Sequence, residues 1–95
     1  GKQQSGKPVF KIQILASGQK LPAGSKQFKG LSPISHYQEG GLYKYTYRES
    51  TDYNEIQRIK RQIASKFSEA FIVAFKNGQK MNVNQAIEEF KKNKK

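Results

Sequence analysis

From Val9 to Ser17 the residues alternate, with Phe10, Ile12, Ile14 and Ala16 on one side and Lys11, Gln13, Leu15 and Ser17 on the other. A period of two is the mark of a half-buried strand. Leu42 to Arg48 repeats the pattern, Tyr43, Tyr45 and Tyr47 against Lys44, Thr46 and Arg48. Ile34 to Gln38 meets it across Glu39-Gly40-Gly41, which predicts a β-hairpin. The period then lengthens. Tyr53, Ile56, Ile59 or Lys60, Ile63 and Phe67 recur at helical spacing behind a Thr51 or Asp52 cap, with Glu55 at the capping-box position, so a helix is expected to about Phe67. Ala70 to Lys76 is a nearly unbroken apolar run, short enough for a central strand, and Asn77-Gly78 follows as a tight turn. Val83, Ala86, Ile87 and Phe90 predict a last helix capped by Asn82 or Asn84.

Between the first two strands, Gly18, Pro22, Gly24, Gly30 and Pro33 interrupt any long helix and leave room for one turn near Ser25 to Phe28. The order strand, loop, strand, strand, helix, strand, helix predicts an α+β fold of split βαβ type, ferredoxin-like or RNP-like. Its antiparallel sheet would carry helices on one face, a shortened first helix and an extra C-terminal helix. Residues 1–8 read as a flexible linker or tag remnant, 9–92 as one domain and 93–95 as a frayed basic tail.

At 35% apolar residues, a single thin core is expected. Lys and Arg number 18 against seven Asp and Glu, a net charge of +11, and this points to an anionic polymer or surface as partner. The chain has no Cys and one His, His36, too few ligands for a zinc site. Only His36 could serve as an imidazole base, and Asp52 and Glu55 are better used at a helix start than as paired catalytic carboxylates. The glycine-rich pieces match neither phosphate-binding fingerprint. The sequence is therefore read as non-catalytic, without cofactor or metal. No run of about 18 apolar residues suggests a membrane span. A Gly at position 1 and no signal pattern suggest a segment cut from a longer precursor, with the compartment left open. The face opposite Ile12 and Ile14 would then carry Lys11, Gln13, Leu15, Lys44, Thr46 and Arg48, a mixed cationic and hydrogen-bonding surface.

Several of these strings are similar to one family. Val9-Phe10-Lys11-Ile12-Gln13-Ile14 resembles the first strand of sporulation-related repeat (SPOR) domains, Gly41-Leu42-Tyr43-Lys44-Tyr45 their Gly-Leu-Tyr strand, and Phe71-Ile72-Val73 their closing strand. The likeness spans Val9 to about Phe75, and the longer strings around Tyr43, Asp52 and Phe75 resemble the tail of amidases of Bacteroides-like bacteria. The resemblance implies a peptidoglycan-binding module in the cell envelope or periplasm, recognising peptide-stripped glycan strands for an attached N-acetylmuramoyl-L-alanine amidase in cell-wall remodelling at division. It implies glycan contacts from Lys11, Gln13, Lys44 and Arg48. The interrupted first crossover and the segment from Gly78 to Lys92 depart from the family pattern. The alternative is a single-stranded nucleic-acid binder of RNA-recognition topology, disfavoured if Tyr43, Tyr45 and Tyr47 face the helices.

Overall fold

The computed structural model describes residues 6–93. The sequence-based expectations for residues 1–5 and for Lys94 and Lys95 lie outside that range; Pro8, counted with the lead-in, is buried immediately before the first strand. Strands β1 (Val9–Ser17), β2 (Ile34–Glu39), β3 (Leu42–Ser50), β4 (Phe71–Lys76) and β5 (Gln79–Met81) form one sheet in the order β2-β3-β1-β4-β5. Every pairing is antiparallel. Helix α1 (Tyr53–Gln62) lies between β3 and β4, and α2 (Val83–Asn93) follows β5.

Both two-residue hairpins form because their loop residues accept positive φ: Gly40 and Gly41 at 62° and 81°, Asn77 and Gly78 at 53° and 83°. Such loops match the right-handed twist of the strands they join. Asp52 caps α1 by accepting from the backbone N–H of Asn54 and Glu55 at 2.9 and 3.2 Å. The reciprocal half of the capping box runs through a relay. The Asp52 N–H donates to Ser50 Oγ, whose hydroxyl donates to the Glu55 carboxylate. Asn82 rather than Asn84 caps α2, accepting from the Gln85 N–H at 3.0 Å.

The core lies between the helices and one face of the sheet. Phe10, Ile12 and Ile14 meet Ile56, Ile59 and Ile63 of the α1 segment and Ala86 of α2, and Phe10 stacks at a tilt on Tyr53 and edge-on against Phe90. The first crossover makes one 3-10 turn, Lys26–Phe28, capped by Ser25. Its Phe28 is buried against the Tyr45 ring at 5.1 Å, so it fills space that a full helix would otherwise cover. Tyr45 is 3% exposed, Tyr43 and Tyr47 pack on the same core, and the Tyr45 hydroxyl accepts from the Leu21 N–H. The three tyrosines therefore face the helices.

Three boundaries differ from the sequence-based expectation. Helix α1 stops at Gln62 instead of near Phe67, and the chain continues in tight turns from Ile63 to Ala70. There the Lys66 carbonyl takes the Lys29 ammonium instead of a helical partner. Strand β3 continues past Arg48 because a bulge at that residue restores pairing, Glu49 opposite Lys11 and Ser50 opposite Phe10. A fifth strand, β5, extends the sheet beyond β4.

Candidate functional site: the concave face of the curled sheet

Two bulges shape this face. Between β1 and β3 the register slips once at Arg48 and again at Ile14, and an extra residue on one strand bends it and increases its twist. A strongly coiled sheet brings diagonal corners together on its concave side. The corner of β2 therefore reaches the corner of β4 and β5, three strands away in the order. The Tyr37 ring meets Phe75 edge-on at 5.1 Å, and its hydroxyl donates to Gln13 Oε1 at 2.6 Å. Glu39, two residues on at the C-terminal end of β2, accepts from Lys44 of β3 at 2.7 Å and from Lys80 of β5 at 2.9 Å, both through Oε1. The two edge strands are thus tied by one carboxylate.

The electrostatics follow from that tie. The hydrogen bond from Lys44, then that from Lys80, lowers the Glu39 pKa below its ordinary value. The bond to Glu39 raises the Lys80 pKa, against some desolvation. Lys80 lies 5.4 Å from the centroid of the Tyr37 ring and Lys11 lies 4.9 Å from that of Phe75. Lys11 also sits 3.6 Å from Glu49. The result is a concave floor of Tyr37, Phe75 and Val73 rimmed by three ammonium groups, with Phe71, half exposed, beside Gln13. Such a surface offers cations to carboxylates, N–H donors to hydroxyls and one exposed ring to an apolar sugar face or a base.

Of the residues read from sequence as this face, Lys11, Gln13, Lys44 and Thr46 lie on it. Leu15 does not. The bulge at Ile14 turns Leu15 to pair with Tyr45, where it packs on the helix-side core. Arg48 does not lie there either: as the extra residue of the other bulge, at φ 66°, it turns toward the Tyr47 ring and a depression shared with Glu55 and Ile59. Gln13 and Thr46 are on the right face but only 7% and 2% exposed, because Tyr37 leans over the sheet. The expectation that Gln13 is an exposed strand residue is therefore corrected.

Tyr37, Glu39, Phe75 and Lys80 complete the site and were missed in sequence. The alternation from Ile34 to Gln38 does place Tyr37 opposite His36 in parity. Nothing local signals that it crosses to β4, since that contact arises from the curl. His36 stands on the other face, its ring 5.7 and 5.6 Å from Tyr43 and Tyr45. Among the described residues no cluster of three or more His, Cys, Asp or Glu could hold a metal ion, and no helix is long and apolar enough to cross a membrane. No family model matches the chain, and no curated protein or solved structure matches it either.

Proposed function

We propose that this chain is a non-catalytic peptidoglycan-binding module that takes peptide-stripped glycan strands on the concave face of its sheet and serves an attached cell-wall amidase in the envelope. The observation that supports this most is the convergence of Lys11, Lys44 and Lys80 over the Tyr37 and Phe75 floor, next to Gln13. The strand order β2-β3-β1-β4 with a helical crossover and helices on one face is consistent with the split βαβ, SPOR-like architecture that the sequence resembles. Beyond that pattern, β5 and α2 are additions and the first crossover holds one turn in place of a helix.

The chemistry favours stripped over intact glycan. Removal of a stem peptide leaves a lactyl carboxylate on the muramic residue, whereas the intact strand holds the same group in amide linkage. Ammonium groups bind the charged form with short, charge-assisted hydrogen bonds roughly twice as strong as neutral ones. Glu39 shows how a carboxylate is held here, since one of its oxygens takes two lysines.

Nucleic acid is the second reading, and Phe71, half exposed on this face, is the feature that favours it. Against it, the central strands β1 and β3 present Lys11, Gln13, Lys44 and Thr46 where base-stacking rings would be needed, and Tyr37 and Phe75 are engaged with each other and covered by lysines. Co-sedimentation with intact and amidase-treated sacculi tests the proposal, with single-stranded oligonucleotide as competitor. Preferential retention on the treated sacculi is expected. Equal retention on both, or release by oligonucleotide at low concentration, would remove it.

A further inference from the structure

The positive charge is unevenly spread, and much of it is not on the sheet face. Residues 18–33 contain Lys20, Lys26 and Lys29 and no acidic residue; residues 56–68 contain Arg58, Lys60, Arg61 and Lys66 and again none. The fold docks these two segments on each other. The Lys29 ammonium donates to the Lys66 carbonyl at 2.7 Å and the Lys66 ammonium to the Lys29 carbonyl at 3.0 Å, while Lys29 lies over the Phe67 ring at 4.9 Å. Two like charges are therefore held together by backbone acceptors, with no carboxylate beside them. Among the described residues the ion pairs engage Lys11, Lys44, Lys76 and Lys80, and none of these seven cations. Arg58 and Arg61 project outward from α1, opposite the buried Ile56 and Ile59.

We infer that this cation-rich pole, whose lysines and arginines make no ion pair, the 3-10 turn of the first crossover together with the outer face of α1, is a docking surface for an anionic phospholipid bilayer. The partner follows from shape and from what the pole lacks. The exposed large apolar residues, Leu42 and Phe71, both project from the sheet, and the rings at the pole are Phe28, buried, and Phe67, partly buried beneath Lys29, so this surface offers no exposed ring to stack on bases and no wedge to insert into acyl chains. Spread cations on the outside of a helix and a turn fit a flat array of phosphate headgroups, each Lys or Arg near such a surface contributing about 1 kcal/mol. The contact is peripheral and salt-reversible, because it acts within a Debye length of about 8 Å at physiological salt. It is independent of whatever the concave face binds.

Flotation of the chain with phosphatidylcholine vesicles, with and without about a third phosphatidylglycerol, tests this at low salt. The charge-reduced variant K26Q/R58Q/R61Q changes three exposed side chains that make no ion pair and spares the Lys29 and Lys66 clasp. The matched control K7Q/K91Q/K92Q removes the same charge from exposed positions elsewhere. The parent is expected to float only with the anionic vesicles, the first variant to bind about 10- to 100-fold more weakly, and the control to stay within about threefold of the parent. No flotation of the parent overturns the inference. Equal loss in both variants would reduce it to net charge without a located surface. Oligonucleotide binding that depends on the same three residues, in a chain that ignores vesicles, would replace the bilayer with nucleic acid.

Discussion

Glu39 joins the two edges of the sheet and also occupies the lysines that a ligand carboxylate would need. Exchange of its carboxylate for an amide keeps the shape but releases Lys44 and Lys80 from their counter-ion. Glu39→Gln is therefore expected to raise affinity for peptide-stripped glycan by several-fold, whereas Glu69→Gln, which changes net charge equally at an exposed site without an ion pair, has a smaller effect. Equal gains from both would mean that Glu39 is not in competition with the ligand. The same residue sets a pH dependence. Its pKa is lowered by Lys44 and Lys80, so its stabilising contribution is present above the ordinary carboxylate value and fades as pH falls through the depressed one. Lys80 is raised, so its contribution is present below the ordinary lysine value and lost as pH rises through the elevated one. Between about pH 5 and 9 the clasp is constant. Thermal melts at decreasing pH are expected to lose less stability in Glu39→Gln than in the parent.

Gln13 presents a different case, because its side chain is buried and accepts the Tyr37 hydroxyl. A partnered buried hydrogen bond contributes about 1 kcal/mol, and loss of the acceptor alone leaves a donor stranded. Gln13→Ala is expected to cost about 1–2 kcal/mol in denaturant unfolding, Tyr37→Phe somewhat less, and the double variant less than the sum of the two. Strict additivity in that cycle would show that the bond carries no coupling.

At the level of elements, the hairpins, the Asp52 cap and the two helical faces were legible in the sequence because each rests on a local rule: a glycine pair, a short acceptor, a period of three to four. The two bulges were not. Strict alternation assigns Leu15 and Arg48 to the face of Lys11, yet one inserted residue in each strand reverses that parity. No glycine marks the Arg48 bulge, where a long side chain sits in the left-handed region at φ 66°. That conformation costs a residue other than glycine about 1–2 kcal/mol. Arg48→Gly is expected to leave stability unchanged or raise it by up to about 1 kcal/mol, despite the loss of the contact with Tyr47, whereas Arg48→Val is expected to destabilise. If Arg48→Gly destabilises as much as Arg48→Val, the side chain and not the backbone holds the bulge.

The whole molecule divides its charge between two surfaces with different physics. On the concave face Lys11, Lys44 and Lys80 are already close to Glu39 and Glu49, so the proposed site would gain affinity from close hydrogen-bonded contact rather than from a long-range field. At the pole of Lys26, Lys29, Arg58, Arg61 and Lys66 no cation is held in an ion pair, and the field acts on any polyanion approaching within a Debye length. The two contributions separate with salt. Removing Lys44 and Lys80 together is expected to weaken retention on amidase-treated sacculi at both low and moderate salt. Removing charge from the pole with K26Q/R58Q/R61Q is expected mainly to slow association and to flatten the salt dependence, since screened attraction alters encounter more than the bound contact. Sacculus binding followed over a salt series in the parent and these two variants gives both slopes. If the lysine-pair variant changes only the slope and the pole variant lowers retention at every salt concentration, the roles are reversed and the glycan site lies at the pole.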